Sequence, residues 1–275
     1  MRSGAWWAQR VAADWPAAEV EVRSGWRLSF SEGVTRRANS AVCLEPGAPV
    51  EAVEDFYRER GLEPCVQIWP GDDDLDERLA RRGYGVQRAA MVMVRDLGER
   101  PPVPGGGDVA VAPRPDGAWR KLWSAAGQGP ERVPALHRIL DRIPAAGYAL
   151  ERSGASRGCV VVSGEWAGVF AMATRPAERG RGLAGAVLEA LLRWARDKGA
   201  ARSYLLVEED NPAARRVYSR AGFTYECSYG YRVGPGTIRE EALEAEYAAI
   251  AAERNEEDQA MRAWARRRFS PRAAE

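Results

Sequence analysis

Between residues 179 and 184 the chain reads Arg-Gly-Arg-Gly-Leu-Ala, a mixture of cations and glycines suited to holding a diphosphate. Upstream, Gly168-Val169-Phe170-Ala171-Met172-Ala173-Thr174 is apolar enough to form a buried strand. Downstream, Leu183, Val187, Leu188, Leu191, Leu192 and Ala195 recur at helical spacing, and Lys198-Gly199 supplies a cation and a left-handed stop. The loop therefore belongs at a helix N-terminus. There the unpaired amides and the positive end of the helix dipole favour an anion, Gly180 and Gly182 let it approach the backbone, and Arg179 and Arg181 add charge. The lysine and hydroxyl of a P-loop are missing, as is the spacing of a dinucleotide-binding fingerprint.

The order Arg-x-x-Gly-x-Ala resembles the acyl-CoA pyrophosphate loop of the GNAT superfamily of N-acetyltransferases. The residues that follow extend the likeness. Ser203-Tyr204-Leu205-Leu206-Val207-Glu208-Glu209-Asp210 reads as a strand, Asn211-Pro212-Ala213-Ala214 as a helix start, and Tyr218 and Gly222-Phe223 close the motif. The resemblance covers Asp108 to Val233 and implies an α/β fold with a mixed sheet and acetyl-CoA as co-substrate, with no metal. It places the pyrophosphate on Arg179, Gly180, Arg181, Gly182, Leu183 and Ala184, and the pantetheine arm along the backbone of Met172, Ala173 and Thr174, paired as an added strand would be. Asn211 would hold the cofactor or cap the helix before Pro212, and both roles stay open.

Moving an acetyl group from a thioester to an amine needs a neutral amine, a polarised carbonyl and a proton for the departing thiolate. With the motif in place Tyr218 is the expected proton donor, since a phenol with an ordinary pKa of about 10 matches a thiolate of similar basicity. Without the motif it would read as a core aromatic. Glu208 and Glu209 are candidates for the general base by position. Strand alternation lets only one of them face a cleft, and a water relay is the alternative.

Composition narrows the partners. The 275 residues carry 40 basic and 39 acidic side chains, which gives no electrostatic case for nucleic acid or an anionic membrane. Cys43, Cys65, Cys159 and Cys227 are scattered with no metal-ligand spacing, and the expectation is a reducing cytoplasm. No apolar run approaches the roughly 20 residues that span a bilayer.

Gly98-Glu99-Arg100-Pro101-Pro102-Val103-Pro104-Gly105-Gly106-Gly107 reads as a linker. The expected organisation is an N-terminal domain over 1–98, a linker over 99–107, a catalytic domain over 108–236 and a helical extension over 237–275. The two halves repeat a pattern. Val53 to Asp96 gives helix, Gly61, strand (Cys65 to Trp69), helix (Leu75 to Arg82), Gly83 and strand (Ala89 to Val94). Leu191 to Val233 gives the same order with Gly199 and Gly222. Leu79 stands where Tyr218 would be, and Glu45-Pro46-Gly47-Ala48-Pro49 replaces the glycine-arginine loop, so the first half is not expected to bind CoA. Its strand pair, Gly25 to Phe30 and Arg36 to Val42, is similar to the degenerate N-terminal half of two-domain actinobacterial acetyltransferases, some labelled N-acetylglutamate synthase. That implies a small amine, such as an amino acid, as acceptor. Arg36, Arg37 and Asn39 are the candidates to face it, since a guanidinium suits a carboxylate, although strand alternation lets only one of the two adjacent arginines point inward, and a solvent-facing hairpin is the alternative. Acetylation of a protein N-terminus or lysine, and a non-catalytic CoA sensor, are the alternatives.

Other groups have plainer readings. Asp72, Asp73, Asp74 and Asp76 lack the turn glycine and terminal glutamate of a calcium loop and suit an acidic helix start. His137, the only histidine, lies in the helix Val133 to Leu140 and is expected to be structural. Beyond Thr237 a narrow stripe of Leu243, Tyr247, Ile250, Met261 and Trp264 could dock on the catalytic domain or pair two subunits as a homodimer.

Overall fold

An opening helix, α1 (Gly4–Asp14), leads into a small antiparallel sheet of β1 (Glu19–Arg23), β2 (Trp26–Phe30) and β3 (Val42–Cys43). The computed structural model describes residues 2–98, 108–124 and 132–235. The expected linker over 99–107 and the helical extension beyond Thr237 lie outside these described residues. The expected strand from Arg36 to Val42 does not form: Arg36–Ala38 is one 3-10 turn, and only Val42–Cys43 pairs with β2. Asn39 is the reason. Its buried Oδ1 accepts from the amides of Ser31 (2.7 Å) and Gly33 (3.0 Å), while Nδ2 donates to the carbonyls of Val34 (2.8 Å) and Thr35 (2.9 Å). A side chain that satisfies four backbone groups holds this stretch as a turn in competition with a ladder.

The N-terminal half continues through α2 (Glu51–Arg58), β4 (Cys65–Ile68), α3 (Asp73–Arg81) and β5 (Gly85–Asp96). Beyond residue 107 come β6 (Val109–Ala112), α4 (Gly117–Ser124), α5 (Val133–Asp141), β7 (Ala146–Glu151), β8 (Ser156–Ser163), β9 (Trp166–Thr174), α6 (Leu183–Asp197), β10 (Arg202–Glu208), α7 (Pro212–Arg220) and β11 (Thr224–Val233). Eight strands form one mixed sheet in the order β4-β11-β5-β10-β9-β8-β7-β6. The halves interleave within it. β5 lies between β10 and β11, and β11 between β4 and β5, so each half lends its last strand to the other. The repeat read from spacing has a geometric counterpart. β9 runs parallel to β10, as residue 41 does to residue 66 next to β3 and β4, and α6 or α2 supplies the crossover.

The same stop ends the helices of both halves. Leu62 donates to Tyr57, Tyr84 to Leu79, Ala200 to Ala195 and Phe223 to Tyr218, each bond reaching back five residues across a glycine with φ between 65° and 94°. That closure needs a left-handed residue, and glycine is the one that adopts it without strain. Tertiary burial then sorts the faces. Val187, Leu188, Leu191, Leu192 and Ala195 of α6 and Tyr218 of α7 pack with Met91, Val160, Val169 and Leu205 on one face of the sheet. On the other, Trp7 and Val11 of α1, Trp119 of α4 and Leu136 and Ile139 of α5 pack with Val92, Phe170, Tyr204 and Tyr229. The N-terminal helix thus helps to close the core of the other half: Trp7 meets Trp166 edge-on at 5.4 Å, and the Tyr204 hydroxyl donates to buried Asp14 at 2.8 Å.

Candidate active site

β9 and β10 pair in register from Trp166 and Arg202 only as far as Val169 and Leu205. Past that point the strands part, leaving one edge of Phe170 to Thr174 open while the other stays paired with β8. A bulge re-aims that edge. The β8 ladder slips between Arg157 and Cys159, and Ala171 takes φ 53°, a left-handed value that is uncommon for a residue with a Cβ. Arg157 braces the bulge: its Nη1 donates to the Ala171 carbonyl at 2.6 Å, and its guanidinium lies 4.4 Å over the Trp119 ring. Only 1% exposed, it has its pKa drawn down to about 10 by burial and is still a cation at neutral pH. Sequence reasoning missed Arg157, although a charge in the buried run Ser156-Arg157-Gly158-Cys159-Val160 was the signal.

The open edge leads to the glycine-arginine loop. Gly180 and Gly182 have φ 77° and 82°, and Gly182 directly precedes α6. Among the described residues, the amides of Gly180, Arg181, Gly182, Leu183, Ala184 and Gly185 meet no protein acceptor, while Ala186 already bonds back to Gly182. A Cβ built on Gly182 would meet nothing within 4 Å, so the space above these amides is open. This is a row of donors at the positive end of a 15-residue helix. Arg179 and Arg181 are exposed beside it, and Arg181 is ion-paired with Glu178.

Met172, Ala173 and Thr174 are half-buried, and the Thr174 hydroxyl bonds that of Ser156. Asn211 caps α7 through Oδ1, which accepts from the Ala214 amide at 3.0 Å; its Nδ2 has no acceptor among the described residues. Tyr218 packs against Phe223 and is 9% exposed, and its hydroxyl makes no hydrogen bond among the described residues. Burial raises its pKa to about 12, so the phenol keeps its proton. By strand alternation Glu208 continues the face on which Tyr204 and Leu206 join the core that includes α1, whereas Glu209 is exposed and accepts from the Ser228 hydroxyl at 2.9 Å.

The three acceptor candidates of the N-terminal half fare differently. Asn39, 7% exposed, spends its side chain on the turn described above and has none left for a ligand. Arg36 turns toward the buried Cys65 thiol, whose pKa burial lifts to about 12 while the guanidinium opposes the rise. Arg37 lies against β9, its guanidinium 5.5 Å from the Phe170 ring and 5.7 Å from that of Trp15. His137 is half-buried, and burial first, then Arg120, lowers its pKa. In the acidic run, Asp72 accepts from the Trp69 amide at 2.9 Å and Asp76 pairs with Arg232 at 2.7 Å.

The start of α2, which the repeat places opposite that of α6, is built for something else. Glu51 and Glu54 in its first turn pair with Arg82 at 2.7 and 2.8 Å, and Glu51 is held below the usual carboxylate range first by its own amide and then by Arg82. Carboxylates thus take the place that a phosphate holds in an anion site.

The family described as "Probable histone acetyltransferase Rv0428c C-terminal" matches residues 8–232. The chain is 28% identical over 236 residues to the "Uncharacterized N-acetyltransferase YobR" of Bacillus subtilis, covering 81% of this chain and 95% of that one. It is also 28% identical over 203 residues to the "Probable histone acetyltransferase Rv0428c" of Mycobacterium tuberculosis, covering 72% of this chain and 64% of that longer protein. Among solved structures, a GCN5-related N-acetyltransferase from Kribbella flavida superposes with a TM-score of 0.64 at 15% identity, over 85% of this chain and 96% of its own. A tandem GNAT protein from the clavulanic acid biosynthesis pathway gives 0.56 at 15% identity, over 83% and 88%. At such identities the superpositions speak for the fold, and the family match carries the assignment: the chain belongs to the Rv0428c C-terminal family and is an acyltransferase of the GNAT superfamily.

Proposed function

We propose that the protein transfers the acetyl group of acetyl-CoA directly to the amino group of a small molecule within a ternary complex. The observation that carries this reading is the run of acceptorless amides before and within the first turn of α6, continuous with the open edge of β9. A diphosphate fits the amides, and the pantetheine amides fit the edge as a short added strand. The thioester would then lie where β9 and β10 part. There a backbone N–H of the open edge polarises its carbonyl, and the amine attacks from the face covered by α1. Glu208, on that face, is the base that takes the amine proton. Tyr218, on the α6 and α7 face, returns a proton to the thiolate. Burial raises its pKa, and a thiolate released into the same apolar surroundings becomes more basic for the same reason, so the two stay matched.

A specific observation favours a small acceptor: Trp15 and Arg37 of the N-terminal half stand against Phe170 and narrow the approach. The printed names of the mycobacterial relative and of the family favour the second reading, a protein lysine. Acetyl-CoA at 1 mM is expected to raise the melting temperature of the full chain. A ligand at a hundred times its Kd adds about 2.7 kcal/mol, and Gly182→Val, which blocks the open space over the amides, removes most of that rise. Absence of any rise in the intact protein refutes the cofactor assignment. A rise without thiol release from any amine or peptide points to a non-catalytic CoA binder. Titration is expected to give one CoA per chain, since carboxylates hold the start of α2.

A further inference from the structure

Among the described residues, the buried polar atoms without a hydrogen-bond partner include Nε of Arg37, a donor, and Oε1 of Gln87, an acceptor. These two belong to one patch. Arg37 lies beside Tyr229 and Tyr231, and Tyr231 sits opposite Gln87 in the β11–β5 pairing, on the same face of the sheet. Arg37 has no ion pair among the described residues; it shares a hydrogen bond with Tyr229, and its other neighbours are the rings of Trp15 and Phe170 and Tyr231. Phe170 is the residue immediately before the Ala171 bulge, where β9 and β10 part. A buried donor or acceptor with no partner is costly, so a site that keeps one of each beside a reaction centre is shaped for a ligand that supplies both.

We infer that the acceptor is a carboxylated amine of amino-acid type, its carboxylate held by Arg37 and an N–H of its amine by Gln87. This rests on the acetyl transfer proposed above and assigns the substrate class of that site. The guanidinium offers the fork that suits a carboxylate, and the aromatic rings around it exclude the water that would weaken the pair. An amide oxygen that accepts from the amine leaves the nitrogen lone pair free to attack. Arg37 and Gln87 therefore orient the acceptor, and the chemistry of transfer stays with the groups already described.

The test uses the full chain. Melting with 1 mM acetyl-CoA is read first, and thiol release is then measured over the protein amino acids, their α-amides and their decarboxylated amines. At least one amino acid is expected to be acetylated, with its amide and decarboxylated forms poorer in kcat/KM on the order of a hundredfold. Arg37→Met is expected to raise KM for the acid on the order of a hundredfold, erase the preference over the amide, and keep the melting rise with acetyl-CoA. Arg37→Lys, which keeps the charge, recovers part of the preference, and Gln87→Met raises KM for both forms. Amines without a carboxylate used equally well, an unchanged preference in Arg37→Met, or acetyl-CoA binding with no member of the set acetylated would each overturn the inference while leaving acetyl-CoA binding intact. Loss of the acetyl-CoA melting rise in the wild-type chain would instead overturn the reading on which it rests.

Discussion

Replacing Tyr218 by Phe removes one oxygen and leaves the packing in place, which makes it a clean test of the proton donor. The ring is 9% exposed and edge-on to Phe223, and both contacts survive in the variant. The hydroxyl has no partner among the described residues, so its loss gives up no hydrogen bond and relieves a buried polar group, which is worth up to about 1 kcal/mol. The melting temperature of the free protein is therefore expected to hold or to rise by about 2–4 °C. Turnover is different. A positioned general acid contributes roughly 10²–10⁴-fold, or about 3–5 kcal/mol at 1.36 kcal/mol per decade, and that is the expected fall in kcat with acetyl-CoA affinity unchanged. The phenol is pushed up to about 12, so it stays protonated across ordinary assay conditions, and the ratio of wild-type to variant kcat is expected to be flat from pH 6 to 10. Steady-state thiol release over that range is the assay. A ratio below about threefold, or one that changes with pH below 10, would refute the assignment and return Tyr218 to packing.

Asp14 supplies a stability prediction with a definite sign. Burial, opposed by the Tyr204 hydroxyl and Arg10, lifts its pKa from 3.8 to about 6, so the native state keeps the proton after the unfolded state has lost it. The stability carried by that difference is complete below pH 3.8 and is lost as the pH rises through about 6, a change of roughly 3 kcal/mol. Asp14→Asn removes this titration and still offers an acceptor to Tyr204. Denaturant unfolding at pH 4 and at pH 7 is expected to show the variant gaining on the wild type as the pH rises, and parallel stabilities would contradict it. Gly158→Ala probes the bulge: the new Cβ would press on Met172 Sδ and lie 3.0 Å from Leu191 Cδ1. The expected result is a loss of about 1–3 kcal/mol in stability and a raised KM for acetyl-CoA, checked by unfolding and kinetics; an unaltered KM would detach Met172 from the pantetheine path.

Much of the site could be read locally. The periodicity of Leu183 to Ala195, the glycines at 180, 182, 199 and 222, and the Asn211-Pro212 cap act within a few residues, so the glycine-arginine loop and both helix ends were legible before any fold was known. The spacing of Gly61 and Gly83 likewise announced the repeat, because the same five-residue closure ends each helix. What the sequence could not show depends on partners far along the chain. Strands β5 and β11 have the composition of ordinary half-buried strands, and their exchange between the halves is settled by which neighbours bury Met91, Val92 and Tyr229 on the two faces of a shared sheet. The hairpin strand expected from Arg36 to Val42 yielded to the hydrogen bonds of one asparagine. Arg157 reaches the Ala171 bulge only across a ladder, and Arg37 reaches Phe170 only because a turn some 130 residues earlier folds against β9. Sequence alone thus determined the local conformations of the glycine-arginine loop and of the helix start beside it, since dihedral preference, capping and helical period are short-range. Tertiary structure alone decided which charges meet at the opening between β9 and β10, since long-range burial chooses strand neighbours and faces.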